Sequence, residues 1–489
     1  MLFNSIEFII FFIAVLAIIT ILRYKKFQHI FLLISSYFFF YFTSNILLTL
    51  LIFSTILDFY VGKAIFETKS KKRKKILLVG SLSGNLGLLG FFKYVDFGIV
   101  QINQLLQTMN IPEIKLLELI LPIGISFYTF QTISYTVDIY RGKLTPSQSL
   151  KEFALFVAFF PQLVAGPILR ASQFLPQLRE KIENVSSGTK LRQIIIENSN
   201  LKFGITLMAF GFFKKMFFAD NIAPLVNQIF DNPIGLDSFS IILGTMGFGI
   251  QIYCDFSGYT DIAIGAAMIL GFKIPKNFNK PYFATSPSDF WRRWHISLSS
   301  WLRDYLYIPL GGNKKTESRT FVNIMTVMLI GGIWHGASWN FVIWGGLHGM
   351  YLIFHKSITK IFPDLKNMAF FKTGLGKITS ILIVQYFIFL AWIPFRVTEF
   401  DKMTYSIQKY IFWDFAFTDV IDIALVNKIP IILMLGFFIL HLISYKKINL
   451  LQTISNLKLK YWFIILILIT SLILLFYDLN PHDFIYFRF

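Results

Sequence analysis

Apolar stretches of membrane length recur along the whole chain, beginning near Ile6, His29, Ile46, Ile76, Leu117, Phe203, Phe239, Phe321, Trp339, Ile378, Ile431 and Trp462. At about 20 residues per crossing, they predict roughly 11–13 helices that cross or enter a bilayer. The intervening polar stretches are short. None is long enough to fold separately and no internal repeat is visible, so residues 1–489 read as one polytopic, all-α integral membrane domain. Basic residues concentrate in the loops and set an orientation by the positive-inside rule. Arg23, Lys25 and Lys26 follow the first span and lie in the cytoplasm. Two spans joined at Thr43-Ser44-Asn45 then return the chain to a cytoplasmic Lys69–Lys75 loop. Lys446, Lys447, Lys458 and Lys460 mark a late cytoplasmic loop, and the last span, residues 462–478, leaves the C-terminus outside. Both termini are expected outside. The charge order around residues 6–26 is the reverse of a cleavable signal, so the first span reads as a retained helix.

Composition supports the membrane class. The chain is 55% hydrophobic and only 15% charged, with 57 Phe, so the bilayer is the solvent for most of its surface. The net charge of +19 sits in short loops, where it fixes topology and meets anionic lipid headgroups. No soluble basic domain exists to bind nucleic acid. A single cysteine, Cys254, rules out an intrachain disulfide and a thiolate cluster, and no metal-ligand motif occurs.

Two regions do not read as simple spans. Residues 155–176 are apolar but broken by Pro161, Gly166, Pro167 and Pro176, and residues 273–316 mix aromatic and charged groups at high density. Irregular backbone survives at membrane depth only where protein or water satisfies it, so both segments are expected to re-enter the membrane and line a central chamber.

Candidate chemistry lies in and after the second region. In FVNIMTVMLIGGIWHGASWNFVIWGGLHGMY (321–351), His335 falls near the middle of an apolar run. An ionisable group at that depth is a functional-site hypothesis, and imidazole is the side chain suited to moving protons near neutral pH. Flanking glycines allow backbone or ligand to approach closely. His348 and His355 share a face with each other, but on a continuous helix His348 would point roughly 140° away from His335, so both read as packing histidines. In FWRRWHISLSSWLRDYLYIPLGG (290–312), a helix starting at Ser288 would align Trp291, His295 and Ser299 on one face. Arg292 and Arg293 would then supply cations for a phosphate or an oxyanion; an interfacial amphipathic helix accounts for the same pattern. GSLSGNLGLLG (80–90) follows no strand and suits close helix packing rather than phosphate binding. Asp255 and Asp261 share no helical face, and they are expected to partner arginines.

The 290–312 block, followed by GGIWHGASWNFVIWGGLHG, resembles the membrane-bound O-acyltransferase family, in particular its bacterial branch of alginate and peptidoglycan O-acetyltransferases and D-alanyl-lipoteichoic acid exporters. LPIGISFYTFQTISYTVDIYRG (121–142), FFPQLVAGPILR (159–170) and QIYCDFSGYTDIAIG (251–265) are similar to its other signature blocks. The resemblance implies a multi-span helical bundle with re-entrant segments around a chamber open to both faces. It implies His335 as the catalytic residue and His295 as a second active-site residue, with Trp291, Arg292, Arg293 and Ser299 positioning or polarising the donor. It implies no bound cofactor, a donor such as acetyl-CoA or an acyl-carrier thioester, and a separate extracytoplasmic hydrolase-like partner. The expected setting is the cytoplasmic membrane. The aromatic tail PHDFIYFRF (481–489) would present Tyr486 as an acyl carrier, or else serve as an anchor at the headgroups. The rivals are a polysaccharide exporter and a non-catalytic scaffold of a secretion complex.

Overall fold

The structure, a computed structural model, describes the whole chain except residues 23–26, 164–165, 189–192, 365–367, 446–448, 478–483 and 486–489. Tyr486 and the basic residues Arg23, Lys25, Lys26, Lys446 and Lys447 therefore lie outside the described residues. The described residues are helical with no strand among them, and they group into two compact units. One comprises Met1–Met208 with Thr260–Pro275, the other Ala209–Tyr259 with Lys276–Phe489.

In the first unit, Ser5 caps helix Ile6–Ile21 by accepting the Phe8 amide, and Ser70 likewise caps the 38-residue helix Lys71–Thr108. At 1.5 Å per residue the latter is about 57 Å long, so its lysine-rich first turns extend beyond any hydrocarbon layer. Polar residues, rather than apolar contacts alone, hold its partners. Asp58 of helix Leu48–Glu67 accepts the Ser81 hydroxyl at 2.5 Å and the Asn85 amide at 2.8 Å, while Thr132 of helix Ile125–Tyr140 donates to Asn85 at 3.2 Å. Three helices are tied by one buried carboxyl, because its oxygens find donors that lipid cannot supply. In the 80–90 stretch, only Gly84 makes a close crossing, against Leu57; beside Gly80, Gly87 and Gly90 there is open space.

The apolar run near Leu117 is not a span. Residues 111–122 have no regular structure. Asn103 clamps Ile114 through both its amide and its carbonyl, and Asp96 accepts the Leu117 amide at 2.8 Å. Pro112 and Pro122 bracket this strap, and helix begins only at Ile125. The broken segment at 155–176 forms helices Leu150–Ala158, Phe160–Leu163 and the start of Ala171–Ser186, with Phe153, Phe156, Phe159 and Phe160 fully buried.

Five helices among the described residues are long and apolar enough to cross a membrane, with two shorter apolar ones, Ile6–Ile21 and Leu459–Leu475. This is fewer than the 11–13 expected to cross or enter. The difference comes from segments such as Glu317–His335 and Trp339–Ile361, whose glycines, histidines and buried amides lower their hydropathy while packing them into protein. In the second unit these two helices form an antiparallel hairpin. A Cβ on Gly332 would strike the Phe341 carbonyl oxygen, and one on Gly345 that of Met328. The glycines expected to admit a close approach thus admit backbone, and they bring the two helices into direct contact.

Candidate active site

His335 is the last residue of its helix, not the midpoint of a continuous one. Gly336 is extended and Ser338 caps the returning helix by accepting the Asn340 amide at 3.4 Å, so the chain reverses directly after the imidazole. A Cβ on Gly336 would fall on the Phe341 ring, which makes glycine the residue that fits the reversal. The His335 ring is buried among Trp334 (5.0 Å between ring centroids), Trp344 (4.9 Å) and Phe395 (5.2 Å).

His295 is also not where a continuous helix would put it. The helix begins at Pro287, capped by Ser286, and ends at Arg293; a new one runs Ile296–Leu302. His295 joins them with φ +41° and ψ 55°, a left-handed conformation that costs a non-glycine residue energy and recurs at functional sites. Trp291, His295 and Ser299 therefore do not share a helical face. Asn277, in the extended strap before this helix pair, holds the break in place. Its side-chain oxygen accepts the Ser297 hydroxyl at 2.7 Å and amide at 3.2 Å and lies 3.3 Å from His295 Nδ1, while its carbonyl accepts the Ile296 amide at 2.9 Å. His295 is fully buried, and its ring packs edge-on against Phe256 at 4.7 Å and contacts Trp334 at 5.9 Å. Both imidazoles thus lie against the Trp334 indole.

The other candidates disperse. Arg293 is committed to Asp289 at 2.9 Å and to the Asn279 carbonyl, and Arg292 is exposed. Ser299 donates its amide to the His295 carbonyl at 2.9 Å. Trp291 packs on His348, 5.1 Å away. Asp255 takes a lysine rather than an arginine: Lys215 lies 3.0 Å from it and 2.7 Å from Asp220, all three buried. The second oxygen of Asp255 accepts the Ile485 amide at 2.7 Å. Phe484 is buried against Tyr259 at 4.2 Å and Phe256 at 5.9 Å. Of these two tail residues, Phe484 thus reaches a ring that also touches His295.

Sequence reasoning missed Asn277, Trp334 and Trp344, because nothing local marks them. Their roles arise from chain reversal and from a helix break.

Residues 144–393 match the model of the membrane-bound O-acyltransferase family. The chain belongs to that family. It is 38% identical over 362 residues to the "probable alginate O-acetylase AlgI" of Pseudomonas aeruginosa, across 73% of this chain and 66% of that one. It is 36% identical over 431 residues to the peptidoglycan O-acetyltransferase of Helicobacter pylori, across 82% and 78%. To the teichoic acid D-alanyltransferase of Bacillus subtilis it is 31% identical over 243 residues, 47% of this chain and 58% of that one. The chain is accordingly a multi-pass membrane acyltransferase.

Proposed function

We propose that this acyltransferase moves an acetyl group from a cytoplasmic thioester donor, acetyl-CoA or an acyl carrier, toward a hydroxyl of an extracytoplasmic polysaccharide such as an alginate-like polymer or peptidoglycan. The observation that carries the reading is the pair of buried histidines against one indole, one at a helical reversal and one in strained backbone. His335 takes the proton of the attacking hydroxyl as its oxygen bonds to the thioester carbonyl carbon. The carbon–sulfur bond then breaks, and the proton passes to the departing thiolate, so the reaction is proton-neutral. His295, fixed by its backbone and by Asn277, positions the acyl group and polarises its carbonyl. Arg292, being exposed, is available to a donor phosphate. Similarity to named alginate and peptidoglycan O-acetyltransferases supports acetyl as the group and a glycan as the acceptor.

In this scheme the protein sits in the cytoplasmic membrane with both termini outside, and Tyr486 carries the acyl group to a secreted hydrolase-like partner that completes transfer. The docking of Phe484 and Ile485 beside Tyr259 and Asp255 supports a tail that belongs to the site. Tyr486→Phe removes one oxygen and keeps the ring, so acylation is expected to collapse while membrane abundance stays normal; a wild-type rate would make the tail an anchor. The central test is His335→Ala in membranes supplied with labelled acetyl-CoA. Glycan acetylation should fall by about 10²–10⁴-fold, the scale of losing a general base. Retained activity would remove His335 from the chemistry and pass the proton transfer to another residue.

A further inference from the structure

The extended strap that carries Asn277 is tied at both ends, and the second tie reaches a helix far along the chain. At its first end Asn277 takes the Ile296 and Ser297 amides and so fixes the break at His295. Two residues on, the Asn279 amide donates to the Arg293 carbonyl at 2.9 Å, and the Asn279 carbonyl accepts from the Arg293 guanidinium. Residues 277–279 and 293–297 are therefore one hydrogen-bonded unit, and a shift of the strap shifts the histidine.

The second end is Lys280. Its backbone has φ +51° and ψ 60°, the left-handed region that His295 also occupies. Lysine carries a penalty there that glycine would avoid. The side chain supplies the reason for a lysine: its ammonium donates to the Ser444 carbonyl, in the last turn of helix Lys428–Tyr445. The last carbonyls of a helix lack intrahelical donors and form the negative end of its dipole, so a cation is favoured at that place. The short turn Pro281–Phe283 adds to the hold. Phe283 stacks on His441 at 4.8 Å and on Tyr445 at 4.2 Å, both on the same helix, and the Tyr282 hydroxyl donates to the Gly249 carbonyl.

Strained backbone persists only where its surroundings hold it, and it recurs where function depends on the geometry. Lys280 and His295 are two such residues, one on the strap and one on the segment bonded to it. We propose that Lys280 is a positioning residue for acyl transfer. By tying the strap to the C-terminal end of helix Lys428–Tyr445 it holds Asn277, and through Asn277 the imidazole of His295, where the acyl group is to be met. The proposal rests on the reading of His295 given above and adds the remote contact on which that histidine's placement depends.

Three substitutions separate the parts of the tie: Lys280→Met keeps the length and loses the charge, Lys280→Arg keeps a cation, and Lys280→Gly loses the side chain but relieves the backbone. In membranes supplied with labelled acetyl-CoA, Lys280→Met should lower kcat per folded molecule by about 10–10²-fold, the scale of a small misplacement, with KM for acetyl-CoA changed less. Lys280→Arg should restore most of the rate. Lys280→Gly should melt higher than Lys280→Met yet turn over no faster, a divergence that a purely structural role does not produce. Added to Asn277→Ala, Lys280→Met should cost little more, because both act on one contact. Amide hydrogen exchange on the purified full-length protein in detergent reads the link without turnover: exchange at Ile296 and Ser297 should rise in Lys280→Met and stay near wild type in Lys280→Arg.

Unchanged exchange in Lys280→Met, or additive losses with Asn277→Ala, would overturn the link. Raised exchange with unchanged kcat would overturn the positioning role, since His295 would then move without consequence. A raised KM with unchanged kcat would make Lys280 a donor contact instead. If Lys280→Met does not fold, Lys280→Gly is read by the same rate and exchange measurements. Should wild type transfer no acetyl group from acetyl-CoA, that donor reading fails, while raised exchange at 296–297 still upholds the tie from Lys280 to His295.

Discussion

The carboxyl of Asp58 and the imidazoles of His295 and His335 are all buried in a protein that is mostly apolar, but their surroundings differ in kind. Around Asp58, hydroxyl and amide donors from a neighbouring helix close on both oxygens, and the helices that meet there are regular. Around the histidines, one sits where a helix ends and reverses, the other in left-handed backbone between two short helices, and their neighbours are mostly aromatic faces. A polar group that serves stability is surrounded by partners on regular elements. The histidines proposed for the chemistry are instead held by irregular backbone and kept among aromatic rings. In a medium without water to correct mistakes, that contrast separates the two uses of a buried polar residue.

The largest effects should break the comparison in opposite directions. His335→Ala should lose about 10²–10⁴-fold in acyl transfer with little loss of thermal stability. Asp58→Ala should do the reverse: it removes the charged acceptor that Ser81 and Asn85 share and leaves them only Thr136, Thr132 and the Ser81 carbonyl, at a cost of about 1–3 kcal/mol, seen as lower membrane abundance and a lower melting midpoint. Activity per folded molecule should be near wild type. If Asp58→Ala folds normally and kills turnover, the carboxyl is part of the chemistry and the contrast between the two kinds of buried group fails.

A smaller effect sharpens the role of strain at His295. Both His295→Ala and His295→Gly remove the imidazole, and both should lower acetylation. Glycine adopts φ +41° without penalty and alanine does not. His295→Gly should therefore melt higher than His295→Ala, by the equivalent of about 1–2 kcal/mol. Equal melting midpoints would mean the backbone relaxes once the ring is gone, and the left-handed turn would be a consequence of the imidazole rather than its support.

How much of this is legible in the sequence depends on whether local pattern or chain reversal decides the outcome. The helical membrane class and the histidine-bearing blocks are readable, because apolar length and a polar residue inside it are local signals. The hairpin is not. A run from Phe321 to Tyr351 reads as one helix, and the angular argument that sets His348 apart from His335 holds only on one helix. Once Gly336–Ser338 reverses the chain, Trp344 touches both rings. The break at His295 is hidden for the same reason: WRRWHISLSSWL has helical periodicity throughout, and it is Asn277, remote in pattern, that fixes the interruption. The end of the strap, from Leu117, reads as the start of a span because its apolar content outweighs Pro122, and it is the prolines together with Asn103 and Asp96 that decide its structure.

The smallest predicted effect compares two glycine-rich stretches with similar sequences. Gly332 and Gly345 face backbone across the hairpin, so alanine at either must push the helices apart, and with them His335 relative to Trp344. Gly87, on helix Lys71–Thr108, has nothing within 4 Å of where a Cβ would be. There alanine removes only the conformational cost of glycine in a helix, so Gly87→Ala should stabilise by about 0.5–1 kcal/mol, read as a small upward shift in melting midpoint. Both GSLSGNLGLLG and GGIWHGASWNFVIWGG suggest packing glycines, and only the second is built on them. A destabilising Gly87→Ala would mean that this helix meets a surface in the membrane, a second protein or a tightly held lipid, where the isolated chain shows open space. The 80–90 stretch would then be an interface, and the comparison between the two glycine stripes would become one between contacts inside the molecule and contacts outside it.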